Sequence, residues 1–481
     1  MRILFVASEC FPLIKTGGLA DVIGALPLAL DALGMQTQVF LPGFPSVLAG
    51  LKSKKKFATL KNIAGGPARI VSGKSATGLS ILALDAPHLF DVSGNPYQDD
   101  KGNDRPDNAV KFAVFAKVAA DLASGRIGKT RYDVLHAHDW QTGLASAYIK
   151  AMGEKDIKTV FTIHNLAFQG NFPSEIMAEI GLPEDMFNRD GLEYWEKVSY
   201  MKSGLTYSDH ITTVSPTYAL EIQSDDGGMG FGGLLKSRSH SLSGILNGID
   251  LDVWNPETDP EIASGFSAKA ISGKAKNKAA LQKRMGLRRA KNVPLFSVIS
   301  RLTTQKGLDV LAQLVDQIVL SGGQLALLGS GDDAIEAAFL AAAKKHPTEV
   351  GVQIGYDEPL AHLIQAGADA TFIPSRFEPC GLTQLCAMRY GTVPIAGRVG
   401  GLNDTIIDAS PAALVKGVAT GILFSPITTH TLSNAISRAF SLYQSPKTWA
   451  QMRKNAITHP VGWDKSAKAY MDLYSKLLNP S

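Results

Sequence analysis

Glu378, Cys380 and Gly381 follow a short apolar run at residues 370–374, and a helical pattern over 382–390 comes after them, closed by Gly391. That order predicts a buried strand, a tight loop and a helix. Unpaired backbone N–H groups at the start of such a helix point beyond the strand's carboxyl end, and the helix dipole adds partial positive charge there. The turn therefore suits an anion, most naturally a phosphate. A carboxylate at Glu378 does not improve phosphate binding. It is better suited to hold hydroxyl groups, or to face positive charge that develops during a reaction. Sugar hydroxyls beside a diphosphate meet both demands. Taken alone, one such turn reads better as an ordinary strand-to-helix connection with a surface glutamate. The other strand ends change that reading.

Arg301 and Lys306 lie five residues apart in the loop after an apolar run at 295–299. Two cations so placed can clamp a diphosphate and stabilise its charge as it leaves. A solvated basic loop is an equal reading of that loop in isolation. Lys15 precedes Gly17 and Gly18, where glycines let the backbone approach a phosphate, although neither the dinucleotide fingerprint nor the Walker spacing is present. His136, His138, Asp139 and Trp140 close one strand, and His164 with Asn165 closes another. Residues 136 and 138 share a strand face, but a metal would need a third ligand from elsewhere, so structural or substrate-contacting histidines are the favoured reading. The turn at 329–332 could admit a ligand backbone or be a plain connection. Tyr356 could stack on a base, or simply pack. Cys380 near a helix start has no base beside it in sequence, which disfavours a nucleophile and favours ligand contact.

The elements that must hold these residues alternate in type. Strands are expected at 3–7, 37–41, 80–84, 134–136, 158–163 and 210–214, with a helix after residue 15 and a long one over 108–123. A second alternation has strands at 295–299, 324–328, 350–354, 369–373, 393–396 and 421–424. Alternating β and α predicts α/β architecture with two doubly wound parallel sheets, whose ligands lie beyond the strands' carboxyl ends. If those ends face each other, the site is a cleft between domains. The expected division is 1–250 for a first domain completed by a C-terminal helix in 460–481, a linker at 251–275, and a second domain at 276–459. The 481 residues exceed what one core usually serves.

Composition narrows the class. The chain is 45% hydrophobic and 19% charged with a formal net charge of +4, which gives no argument for nucleic acid. The basic run 52–56 reads as a solvated loop. No apolar run reaches membrane-spanning length, and the N-terminus reads as a strand rather than a secretory signal. Cys10, Cys380 and Cys386 make neither a disulfide framework nor a zinc pattern. A cytoplasmic enzyme is the simplest expectation.

Six motifs occur in order along the chain: Lys-Thr-Gly-Gly-Leu-Ala-Asp (15–21), His-Ala-His-Asp-Trp (136–140), Thr-Ile-His-Asn (162–165), Asn-Gly-Ile-Asp (247–250), Ser-Arg-Leu-Thr-Thr-Gln-Lys-Gly (300–307) and Pro-Ser-Arg-Phe-Glu-Pro-Cys-Gly-Leu-Thr-Gln (374–384). Together they resemble the bacterial glycogen synthase family and its plant starch synthase relatives over nearly the whole chain. The resemblance implies a GT-B glucosyltransferase, with the C-terminal helix crossing back to the first domain. It would move glucose from ADP-glucose to the non-reducing 4-hydroxyl of an α-1,4-glucan with retention, using no metal or other cofactor.

Matched position by position, Lys15, Arg301 and Lys306 would neutralise the diphosphate, with Gly18 and the backbone of Leu382 and Thr383 in its cradle. Asp21 and Tyr356 would hold the nucleoside. Glu378, Cys380 and Gly381 would bind glucose hydroxyls. His164, Asn165, Asp139 and Asn247 would line the glucose and acceptor side, with Tyr97 and Trp140 shaping the acceptor pocket. Glu378, His164, Arg301 and Lys306 are the implied catalytic set. No carboxylate in the motifs stands out as a nucleophile, and the resemblance implies front-side attack, with the leaving phosphate helping to take the acceptor's proton. Cys386 stands eight residues after Glu378, where many retaining relatives carry a second glutamate; known synthases also lack it. Cys10 and Gln141 are further departures. The rival expectations are UDP-glucose as donor, a non-catalytic glucan-binding protein, and a hydrolase or phosphorylase on the same plan.

Overall fold

The computed structural model describes residues 1–92, 94–99 and 101–479. The chain divides into two units, Met1–Asn247 with Trp463–Ser481, and Gly248–Gly462. Residues 251–275 lie inside the second unit, where Asp259 and Phe266 are buried.

The first unit is built on a nine-stranded sheet. Its strands are β1 (Arg2–Val6), β2 (Gln36–Pro42), β3 (Lys52–Ile63), β4 (Gly66–Lys74), β5 (Ser80–Asp85), β6 (Val134–His138) and β7 (Lys158–Ile163). After β8 (Asn171–Pro173), β9 (Glu193–Tyr194) and β10 (Lys197–Ser199), which form a small separate sheet, β11 (His210–Thr213) and β12 (Leu242–Gly244) complete it. The order is β12-β11-β7-β6-β1-β2-β5-β4-β3. Pairing is parallel from β12 to β5 and antiparallel for β5, β4 and β3. β1 reads Ile-Leu-Phe-Val without alternation and is wholly buried after Arg2, because helices cover both faces of a parallel sheet.

The chain runs outward from β1 through β2 to β5, then returns to β6 on the other side. The order therefore reverses beside β1, and the loops after β1 and β6 flank that switch point, where open α/β sheets bind ligands. The run 52–56, expected as a loop, is instead the start of β3. Its lysines are exposed on the outermost strand, where charge blunts a sheet edge.

The helix Asp464–Leu478 packs on this unit. Its Tyr470 and Tyr474 are buried, and the Tyr474 hydroxyl meets His136 Nδ1 at 2.7 Å. This is the crossing helix that the family resemblance leads one to expect.

The second unit carries an all-parallel sheet of β13 (Leu295–Ile299), β14 (Gln324–Gly329), β15 (Val350–Ile354), β16 (Ala370–Ile373), β17 (Val393–Gly397) and β18 (Ile422–Phe424). Its order is β15-β14-β13-β16-β17-β18, so the reversal falls between β13 and β16. The loops after those two strands are neighbours for that reason. Stacked Phe296 and Phe372, with ring centroids 5.1 Å apart, pack the same pair of strands below them.

Candidate active site

In the second unit the two switch-point loops are joined at three levels. The Arg376 guanidinium donates to both Asp309 oxygens, at 2.7 and 2.8 Å, and to the Thr304 carbonyl. The Arg376 N–H donates to the Gln305 carbonyl at 2.9 Å. Lys306 Nζ donates to Glu378 Oε2 at 2.6 Å, and Ser375 Oγ donates to the same oxygen at 2.8 Å. Glu378 is buried, with 6% of its surface exposed, while Arg301, in the loop after β13 that carries Lys306, is exposed. A carboxylate fixed by one cation, with a second, exposed cation in the adjoining loop, can hold hydroxyl groups and answer phosphate charge at once.

Glycines make this packing possible. Gly307 has φ of 68°, and a Cβ there would stand 1.9 Å from the Pro374 carbonyl oxygen. Gly400 and Gly401 lie under the Glu378 loop, and a Cβ would come within 2.0 Å of the Glu378 carbonyl oxygen or 2.2 Å of that of Cys380. Gly381 has φ of 72°, and Gln384 Nε2 donates to the carbonyls of Cys380 and Gly381. Leu382 precedes the helix Thr383–Arg389, and Thr383 opens it. Cys380 is buried beside this turn. Tyr356 stands after β15, three-quarters exposed, with its hydroxyl on the Glu358 carboxylate.

In the first unit the loop after β1 is held by a carboxylate. Glu9, 3% exposed, accepts from Thr16 N–H and Thr16 Oγ1, each at 2.5 Å, and from Gly17 N–H at 3.2 Å. The Tyr97 hydroxyl donates to Glu9 Oε1 at 2.7 Å and also meets Ser8 Oγ. Burial and the Glu9 charge push the Tyr97 phenol well up, so it remains a neutral donor. Lys15 pairs with Asp21 at 2.9 Å across the start of the helix Gly18–Ala32, both side chains about one-third exposed.

At the ends of β6 and β7, Asp139 adopts φ of 56°, a left-handed conformation that aims its carboxylate at the next strand end. Its Oδ1 accepts from His164 N–H at 2.7 Å and from Asn165 N–H at 3.4 Å. Burial pushes the Asp139 carboxyl up to about 7, against the pull of those two bonds. Burial pushes the His164 imidazole down to about 3. The Asn165 side-chain Oδ1 accepts from Ala167 N–H at 3.0 Å. Trp140 is packed among Phe112, Phe172 and Tyr200, so it buttresses this end of the sheet from within. Asn247 is buried, and its Oδ1 has no partner among the described residues.

His136 is a core residue. Its Nδ1 meets Tyr474, its Nε2 meets Thr162 Oγ1 at 2.6 Å, and burial drives its imidazole well down. No group of three or more metal-ligating side chains occurs among the described residues.

Sequence reasoning missed Glu9, Ser375, Arg376 and the Gly400–Gly401 pair. Each had a signal: Glu9 lies in the loop after β1, Ser375 and Arg376 in the loop after β16, and the glycine pair just after β17.

Two family models match the chain, the starch synthase catalytic domain over residues 2–237 and glycosyl transferases group 1 over residues 282–459. A glycogen synthase of Roseobacter denitrificans is 52% identical over 478 residues, covering 99% of this chain and 100% of the relative. The catalytic domain of starch synthase IV from Arabidopsis thaliana, solved bound to ADP and acarbose, superposes with a TM-score of 0.90 at 32% identity, covering 99% of each chain. A sucrose-phosphate synthase from Thermosynechococcus elongatus, at 18% identity and a TM-score of 0.61 over the whole of both chains, shares the fold.

Proposed function

The chain belongs to the glycogen and starch synthase family, and from that premise we propose that it elongates an α-1,4-glucan with glucose taken from ADP-glucose. Its two doubly wound α/β units are those of the GT-B class. The transfer goes to the non-reducing 4-hydroxyl with retention at the anomeric carbon, and ADP leaves.

The observation that carries this reading is the Lys306–Glu378 pair at the second unit's switch point, with Arg301 exposed in the loop that carries Lys306. Breaking the glucosyl–phosphate bond leaves negative charge on the nucleotide and oxocarbenium-like positive charge on the sugar. Arg301 and Lys306 answer the first, and preorganised charges of this kind stabilise a transition state without reorganising. Glu378 answers the second and holds glucose hydroxyls together with Cys380 and Gly381. The Leu382 and Thr383 N–H groups, Gly18 and Lys15 supply further donors for phosphate. Tyr356 offers an exposed ring for the base, and Asp21 a carboxylate for the nucleoside. On the acceptor side, Asp139 fixes the turn that carries His164 and Asn165, Asn247 offers a buried amide oxygen, and Tyr97 and Trp140 shape the acceptor pocket. With cations from the protein facing the diphosphate, no metal is required.

The test is glucose transfer to glycogen from ADP-glucose and UDP-glucose side by side, with chelator present. Strong transfer from ADP-glucose alone is expected. Preference for UDP-glucose would overturn the donor assignment, and glucan binding without transfer from either would overturn the enzyme itself.

A further inference from the structure

His138 and Asp139, adjacent at the end of β6, grip the following strand end by two different handles. Asp139 takes the backbone of residues 164 and 165, as described above. His138 takes the side chain, with its Nδ1 2.9 Å from His164 Nε2. His138 is wholly buried, its ring 5.7 Å from Phe5 in a near-parallel stack and 4.1 Å from His136.

Both imidazoles are neutral. Burial and the neighbouring rings of His136 and His164 hold His138 well below the ordinary histidine range, and burial alone does so for His164. One proton therefore lies between Nδ1 of His138 and Nε2 of His164, and it belongs to one of them. The other nitrogen of His138 decides which. His138 Nε2 is buried and has no hydrogen-bond partner among the described residues. A proton on Nε2 would leave a buried N–H donor unpaired, and orphaned donors are the rarest and costliest unsatisfied groups in protein interiors. A bare Nε2 lone pair costs less. The proton therefore sits on His138 Nδ1 and is donated to His164.

We propose that His138 is a positioning residue that fixes the orientation and tautomer of His164, leaving His164 with its proton on Nδ1 and a hydrogen-bond donor to offer the substrate. His164 Nε2 is committed as acceptor, so its Nδ1–H is the one ring group left for a ligand. Sugar and phosphate oxygens accept hydrogen bonds, and a ring locked as donor is matched to them. The inference rests on the reading of His164 as a substrate-facing residue. The tautomer itself does not.

The experiment uses the full chain labelled with 15N-histidine and long-range proton–nitrogen correlation, with the His164→Gln spectrum identifying the His164 signals. His164 is expected to show a protonated Nδ1 and an unprotonated Nε2. In His138→Leu both His164 tautomers should appear, and kcat should fall about ten- to a hundredfold, the size expected when a group in a reacting site is misaligned, with KM for ADP-glucose nearly unchanged. His138→Asn, whose amide N–H replaces Nδ1–H, should restore the single tautomer and most of kcat. A wild-type His164 protonated at Nε2 overturns the inference, whatever the fate of His138→Leu. So does an unchanged tautomer, or an unchanged kcat, in folded His138→Leu. Absence of glucose transfer by the wild type would overturn the proposed function alone, because the nitrogen signals still report the tautomer.

Discussion

Lys306 Nζ and Glu378 Oε2 lie 2.6 Å apart although 72 residues separate them in the chain. The contact follows from strand order: β13 and β16 are hydrogen-bonded neighbours across the switch point, and each residue sits in the loop that leaves its strand. Glu378 is therefore buried and held in place by Lys306 and Ser375.

That arrangement predicts large and separable losses. Glu378→Ala and Lys306→Ala should each lower kcat by roughly 10²- to 10³-fold, the usual effect of deleting one preorganised electrostatic group. Glu378→Gln keeps the shape and the Ser375 contact but loses the charge, so it should resemble Glu378→Ala in kcat while folding normally. Near wild-type turnover in Glu378→Gln would show that the charge is not used.

Glu9 should act through the loop it holds. Its carboxylate accepts from Thr16 twice, from Gly17 and from Tyr97. Glu9→Gln places an amide NH2 where only acceptors are wanted, so at least one donor must turn away. With charge-assisted bonds worth about 1.5–3 kcal/mol each, KM for ADP-glucose should rise by roughly tenfold or more. Tyr97→Phe removes one donor only and should give a smaller rise. Steady-state kinetics on both variants decide it, and equal, wild-type KM values would sink this role for the loop.

Much of this was legible in the residues. The apolar runs of β13, β14 and β16 announce buried parallel strands, and a period of two places His136 and His138 on one face. What local pattern cannot carry is which strand lies beside which. Nothing near Lys306 names Glu378, and nothing near His136 names Tyr474, 338 residues away. Glu9 was overlooked because an acidic residue after a strand normally ends in water. The β3–β4 hairpin was overlooked because its lysines and shifts of register erase the alternation that marks a strand. The crossing of the C-terminal helix came from the family resemblance, since its amphipathic face fits any apolar surface.

Lys274 offers a test of how the second unit is fastened. Its Nζ is buried and donates to the carbonyls of Gln365, Ala366 and Tyr390 and to Thr392 Oγ1, at 2.8–3.4 Å. Those carbonyls close the helices Glu358–Gly367 and Thr383–Arg389, so the Nζ donors meet the negative end of each helix dipole, while burial pulls the ammonium down to about 7. The two helices lead away from Tyr356 and Cys380. Lys274→Met matches the volume but strands several buried acceptors, so it should cost about 3 kcal/mol or more. Denaturant midpoints measure this, and an unshifted midpoint would mean the acceptors find other partners.

Acid should weaken the first unit through its histidines. Burial holds His164 at about 3 and His136 and His138 well below the ordinary range, and burial with the nearby charges of Arg238 and His240 holds His210 at about 4. Above about 6.5, the unfolded value, these rings are neutral in both states and stability does not depend on them. Below it the unfolded chain binds protons that the folded chain refuses, so stability is lost progressively as pH falls from 6.5 toward 4. Asp139 works in the opposite sense. Its folded value of about 7 lies above the ordinary 3.8, so the folded form keeps a proton that the unfolded chain releases, and this group favours the fold as pH falls through 7. Four imidazoles outweigh one carboxyl, and a net loss is expected between pH 6.5 and 4.5. In denaturant titrations the first-unit midpoint should fall over that window. The drop should shrink in His164→Gln, and Asp139→Asn should be more stable than wild type at pH 8, where the buried charge is relieved. A midpoint that is flat from pH 7 to 4.5 would show that the buried rings take up protons as readily as they do in the unfolded chain.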